Sequence, residues 1–422
     1  MAIQQFETAY LQIVRRITIL LLVAATVTGC SKEETPDPPA GPAQQTILLY
    51  MPGQNLLSYY VTNVRNIKKA VTDQVPGNNR ILVCYQPDSH TQATLLEVRY
   101  DKAQQQCIHE TLRLYEEFYP ERPESVETLF RDIQQLAPAE HYGLIIGCHG
   151  TAWLPPAQSL SNESAPGVVP TPSLLTRAEN ETDAAELFTR AFGDSGHRME
   201  ISDFATVVNR LPYRFDYLIF DGCFMANIET LYDLRNAFDY VIASPCEILA
   251  AGFPYDRITP HLFTASGADL AAVCDDFWSF YMYDWNTVPN NAQSGCISLA
   301  VMSELEALAE CVADIQAGPL REYDRSQLQF YESMSTHLFY DLGDYLSAIC
   351  DNDAHYARFE EQLDRAFPKA CRLNTPQFYS VFNGGRQIPV NFYTGVSTSE
   401  PANRYESYEQ ETAWYRRTHR LP

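Results

Sequence analysis

The sequence predicts an α/β sandwich around a mostly parallel sheet. Strand-like runs alternate with stretches of helical spacing along most of its 422 residues. Several runs are apolar throughout, as in strands buried on both faces. Two of them end in a reactive side chain beside glycine: 142–150 (Tyr-Gly-Leu-Ile-Ile-Gly-Cys-His-Gly) and 215–225 (Phe-Asp-Tyr-Leu-Ile-Phe-Asp-Gly-Cys-Phe-Met). In an open parallel sheet, ligands bind beyond the carboxyl ends of the strands. An imidazole and a thiol are therefore expected on one rim of one sheet.

Composition bounds the rest. The chain is 45% hydrophobic and 12% aromatic, enough for one large domain or two smaller ones. A formal charge of −23 argues against nucleic acid and anionic lipid surfaces as partners.

Residues 1–29 read as a targeting segment, with Arg15 and Arg16 before an apolar run. Val27-Thr28-Gly29-Cys30 resembles the lipobox of bacterial lipoproteins, which implies a lipid anchor on Cys30. Ser31-Lys32-Glu33-Glu34 looks like the acidic signal for display on the outer face of an outer membrane; a periplasm-facing lipoprotein is the alternative. Residues 30–44, with Pro36, Pro38, Pro39 and Pro42, read as a flexible tether.

Strands are expected over 46–51, 80–86, 94–100, 142–148, 217–221, 240–244 and 295–302, and helices over 56–71, 125–136 and 227–238. Residues 45–317 form the expected core, interrupted by a long insertion at 153–200 that is rich in Pro, Ser, Ala and Asn near its start. From 318 to 422 the chain is expected to be mainly helical and to complete the domain. Ten cysteines follow Cys30. Those inside apolar runs, such as Cys84 and Cys296, read as small buried hydrophobes, and no CxxC pair indicates zinc or a redox dithiol.

Cys223 ends a strand that is expected to turn into a helix, so that free N–H groups and the positive dipole end favour its thiolate. A buried structural cysteine is the plain alternative, as a satisfied core histidine is for His149. The pair is stronger than either alone. His149 stands where a general acid or base would serve the thiol, and the N–H groups of Gly150 and Cys223 would form an oxyanion hole. Gly193-Asp194-Ser195-Gly196 has the letters of a serine-protease motif without its surroundings, and no P-loop, G-x-S-x-G elbow or H-E-x-x-H motif is present.

These residues resemble the clostripain family of cysteine peptidases, which have a caspase-like α/β/α fold. His149-Gly150-Thr151-Ala152-Trp153 is similar to the family's His-Gly-x-Gly-Trp, with Ala152 at the second glycine. Asp221-Gly222-Cys223-Phe224-Met225 matches Asp-x-Cys-x-Met, followed by a helix bearing Glu229. Further similar stretches run from Thr46 to Tyr415. The resemblance implies Cys223 as nucleophile, His149 as proton donor to the leaving amine, and a protein or peptide substrate. It also implies a preference for Arg or Lys before the cut, made by an acidic pocket residue, and a calcium ion in some members; the sequence itself requires no cofactor. The resemblance does not assign that acid: Glu247 and Asp221 are the candidates, with a buried structural carboxylate and a strand-end turn former as their plain alternatives.

Arg177 and Arg190 are candidate self-cleavage points or solvated arginines. The competing functions are a surface lipoprotein that binds proteins or peptides through a degenerate site, favoured by Ala152 and by Ala250-Ala251, and a transferase or ligase using the same thioester chemistry.

Overall fold

The computed structural model describes residues 42–87, 89–154, 193–194, 197–284, 293–401 and 409–421. The targeting segment, Cys30, nearly all of the tether, most of the insertion, Arg177 and Arg190 lie outside them.

The central sheet begins with β1 (Ala43–Met51), whose residues alternate between two cores. Leu48 and Tyr50 face one, while Ile47, Leu49 and Met51 face the other. That period-2 alternation of entirely apolar side chains is why β1 is a central strand covered on both faces. The elements α1 (Leu57–Ala70), β2 (Arg80–Tyr85), β3 (Ala93–Asp101), β4 (Gln106–Tyr115), α2 (Pro123–Leu136) and β5 (Ala139–Gly147) follow. Then come α3 (Ile201–Asn209), β6 (Tyr217–Asp221), α4 (Ile228–Leu234), β7 (Tyr240–Ala243), α5 (Tyr255–His261), α6 (Leu270–Ser279), β8 (Cys296–Val301) and α7 (Leu305–Gln316).

The C-terminal part holds β9 (Tyr340–Asp341), α8 (Leu342–Ile349), α9 (Asp353–Ala366), β10 (Leu373–Asn374), β11 (Gln377–Ser380), β12 (Arg386–Pro389), β13 (Ser397–Thr398) and α10 (Ala413–Thr418).

The nine-stranded sheet has the order β10-β8-β7-β6-β5-β1-β2-β3-β4. Its centre, β7-β6-β5-β1-β2, is parallel, and both edges are antiparallel. Side chains of α1, α5 and α6 pack on one face, and those of α2, α3, α4 and α7 on the other. This is the caspase-like α/β/α sandwich.

Two local expectations change. β4 was not foreseen, because at the sheet edge most of its side chains are solvated and only a weak alternation at Leu112 and Leu114 marks it. The region after 318 is less helical than expected. It supplies α8, α9 and α10, but also the β11–β12 hairpin, the β9–β13 pair and the edge strand β10. Their residues answer to long-range partners rather than to a local period.

Candidate active site

Strands β5 and β6 are parallel neighbours, with Gly143 opposite Tyr217 and Gly147 opposite Asp221. Every pair in this ladder is offset by 74 residues, and the same offset continued past the strand ends relates His149 to Cys223. The backbones stay together beyond the ladder, since Cys148 N–H donates to the Asp221 carbonyl at 3.3 Å. A Cβ on Gly150 would stand 2.1 Å from the Cys223 carbonyl oxygen and 2.8 Å from Met225 Sδ. One on Gly222 would stand 2.9 Å from the Cys148 carbonyl oxygen. Glycine is needed at 150 because two backbones touch there.

After Cys223 the chain turns sharply. Phe224 takes a φ of +61°, a left-handed conformation that costs a non-glycine residue about 1–2 kcal/mol. Packing and hydrogen bonds offset that cost. Phe224 N–H donates to the Cys246 carbonyl at 3.0 Å, Ala226 N–H to the Ser244 carbonyl at 2.9 Å, and the Phe224 ring stacks on Phe339 at 4.7 Å.

The Cys223 side chain is fully buried. Ile248 N–H donates to its Sγ at 3.4 Å, and Sγ lies 3.7 Å from the Ile248 carbonyl oxygen as a donor. The expected helix N-terminus at the thiol is not realised. Helix α4 starts at Ile228 and is capped by Asn227, whose side chain accepts from Thr230 N–H at 3.2 Å. The dipole falls off within one turn, so it does not act at Cys223. The backbone N–H of Ile248 occupies the place where a donor to sulfur is useful. No local pattern in the sequence signals that contact.

His149 is half-buried on the loop that leaves β5. Ala152, in place of the second glycine, has a φ of +51°, which explains why glycine suits that position. Trp153 is buried, and its Nε1–H donates to the Ser399 hydroxyl at 2.8 Å. Ser399 N–H in turn donates to Glu229 Oε1 at 3.0 Å, and the Thr398 hydroxyl donates to the same oxygen at 2.7 Å. Burial pushes the Glu229 carboxyl up to about 7, against the opposing pull of these donors. This chain of contacts joins the loop after His149 to the helix after Cys223.

Both candidate pocket acids are buried. Asp221 Oδ2 accepts from the Tyr255 hydroxyl at 2.9 Å. Glu247 Oε1 accepts from Val381 N–H at 3.0 Å, which ties the segment after β7 to the β11–β12 hairpin region. Asp194, from the serine-protease-like letters, is structural: its Oδ2 accepts from Gln54 N–H at 2.6 Å and Asn55 N–H at 3.2 Å. The ten cysteines from Cys84 to Cys371 are free thiols, and all but Cys107 are buried. Among the described residues no group of three or more His, Cys, Asp or Glu side chains could hold a metal ion.

A caspase-like sandwich that sets a histidine and a cysteine on adjacent carboxyl ends of its parallel strands defines a cysteine peptidase. Comparison with known proteins agrees. The Clostripain family model matches residues 183–361. A secreted C11 cysteine protease from Bacteroides thetaiotaomicron, "iotapain", is 29% identical, with 90% of this chain and 100% of that chain covered and a TM-score of 0.75. An inactive zymogen C11 protease from Parabacteroides distasonis has the same fold at 24% identity, with 90% and 99% covered and a TM-score of 0.71. A second secreted C11 protease from Bacteroides thetaiotaomicron, in complex with an irreversible peptide inhibitor, shares the fold at 22% identity, 89% and 99% coverage and a TM-score of 0.71. No curated protein matches the chain. The chain is a clostripain-like cysteine peptidase.

Proposed function

We propose that the chain is an exported endopeptidase that cuts peptide bonds with a Cys223–His149 dyad. The observation that carries this reading is the β5–β6 register, which brings the two residues to neighbouring strand ends with Gly150 against the Cys223 backbone. The Cys223 sulfur, as thiolate, attacks the scissile carbonyl carbon. The carbonyl oxygen takes up negative charge against the N–H groups of Gly150 and Cys223. His149 gives a proton to the departing amine, leaving a thioester on Cys223. Water then attacks the thioester, releasing the acid and restoring the thiol. Cys223 is fully buried, so substrate entry requires its sulfur to be uncovered.

For specificity we propose a basic residue, Arg or Lys, before the cut, with Asp221, two residues from Cys223, as the candidate acid; Asp221 and Glu247 are both buried and engaged, by Tyr255 and Val381. Export is read from the N-terminal segment, with Cys30 lipidated, the tether spanning from it to β1, and display on an outer membrane. Among the described residues no helix is long and apolar enough to cross a membrane.

A fluorogenic panel with Arg, Lys, Asp, Asn and apolar residues before the cut tests this reading. Turnover should vanish in Cys223→Ala and fall strongly in His149→Ala. Asp221→Asn should cost more on Arg substrates than on apolar ones. Activity that survives Cys223→Ala sinks the site assignment. Protease shaving of intact cells should release the protein; protection would place it on the periplasmic side.

A further inference from the structure

A cavity of about 330 Å³ opens between α1 and the outer strands β2, β3 and β4. Its inner wall is apolar: Met51 from the end of β1, Tyr60 and Val64 from α1, Tyr85 from the end of β2 and Leu96 from β3. The size falls in the range of small-molecule sites.

The remaining wall, apart from Val61, is polar and carries two cations. Arg65 and Lys68 are spaced i, i+3 on α1 and so share a helix face, and His109 comes from β4. Lys68 Nζ lies 2.7 Å from His109 Nδ1. An ammonium can only donate, so Nδ1 accepts and the ring's proton sits on Nε2 as a further donor. Burial and the neighbouring Lys68 both hold this imidazole below its ordinary value, which keeps it neutral.

The charge pattern is out of character for this chain. With 53 acidic against 30 basic residues, a lysine or arginine has carboxylates to choose from. Arg80 pairs with Glu97 and Arg99 with Glu110 on the neighbouring strands, and Arg113 with Asp132 on α2. Among the described residues neither Arg65 nor Lys68 pairs with a carboxylate. Two cations without anions, set beside an apolar cavity, present the complement of a molecule with an apolar body and an anionic head.

We propose that this cavity binds a small organic carboxylate, its apolar body against Met51, Tyr60, Val64, Tyr85 and Leu96 and its carboxylate on Arg65 and Lys68. The planar guanidinium of Arg65 can take both carboxylate oxygens, with Lys68 as a point charge beside it. Ligand of this class is held by position and charge alone, with no covalent step. The site does not rest on the peptidase reading, because none of its residues is among the proposed catalytic, oxyanion-hole or pocket residues.

The test uses 4-phenylbutyrate as probe and isothermal titration calorimetry on the whole protein at pH 7.5. The probe should bind in the micromolar to low-millimolar range. Its neutral analogue 4-phenylbutyramide should bind at least about tenfold more weakly, since it lacks the charge-assisted bonds. An Arg65→Ala/Lys68→Ala double variant should lose at least about tenfold in affinity for the acid and little for the amide. Both side chains lie at the surface, so circular dichroism and thermal unfolding should match the parent. Val64→Trp, which fills the cavity while keeping both cations, should abolish binding. The proposal is overturned if the acid and amide bind equally, if the double variant binds the acid as well as the parent does, or if no binding is seen at several millimolar. Inorganic phosphate competing better than 4-phenylbutyrate would overturn the apolar half of the assignment.

Discussion

The indole of Trp153 donates a 2.8 Å hydrogen bond to the hydroxyl of Ser399, across 246 residues of chain. Both groups are buried. The bond fastens the loop that carries His149 to the β13 segment, whose Thr398 and Ser399 also hold the Glu229 carboxyl. The two halves of the proposed dyad are thus braced by one shared set of contacts.

Trp153→Phe should keep most of the packing and lose the N–H. A bond of this kind is worth about 1 kcal/mol net, and a Ser399 hydroxyl left without its donor adds to the cost. If the bond positions His149, kcat should fall by roughly tenfold with a smaller change in KM. Ser399→Ala should give a similar loss, and the double variant should be little worse than either single one, because the two changes remove the same contact. Fully additive losses in a double-mutant cycle would sink the positioning role.

Glu229 should make stability depend on pH. Its folded pKa of about 7 lies above the ordinary value of 4.5. The stability linked to the protonated carboxyl is therefore complete below about pH 4.5 and is lost as pH rises through 7. For a fully buried group the difference corresponds to about 3 kcal/mol. Urea unfolding of wild type and Glu229→Gln at pH 5 and pH 8 measures it. The stability of wild type relative to the variant should drop by an amount of that order between the two values. A gap that stays constant would show that the carboxyl does not titrate there.

Gly150→Ala should be among the most damaging small changes. Its Cβ would meet the Cys223 carbonyl oxygen at 2.1 Å, so the two strand ends would have to separate. Overpacking of this sort costs about 1–3 kcal/mol, and the displaced N–H would no longer face an oxyanion. Peptidase activity should fall by roughly a hundredfold or more, while the sheet, held by the other ladders, still folds. Near-wild-type turnover in the alanine variant would contradict the close approach of these backbones.

How much of this was legible from the residues differs by element. The apolar runs 142–148 and 217–221 identified β5 and β6 because a strand covered on both faces leaves a purely local mark. His149-Gly150 and Gly222-Cys223 were visible for the same reason: the reactive residue and its glycine are chain neighbours. β4 was not, since an edge strand satisfies only one weak alternation. Helix α4 starts where the spacing of apolar residues put it, with Asn227 as its cap, but the thiol is not at its N-terminus, because the left-handed turn at Phe224 and its bonds to the segment after β7 come between them.

The sequence by itself determined the layered α/β fold, the parallel centre of the sheet and the two strand ends that carry a thiol and an imidazole. Those features follow from hydrophobic periodicity and from glycine beside a reactive group, both written within a few consecutive residues. Only the tertiary structure decided that the Cys223 sulfur meets the Ile248 N–H, that Asp221 is engaged by Tyr255, and that Glu229 is buried under Thr398 and Ser399. It likewise decided that Arg65 and Lys68 stand beside an apolar cavity. These partners lie 25 to 170 residues apart, or on separate strands and helices, and their meeting depends on how the whole sheet stacks its layers.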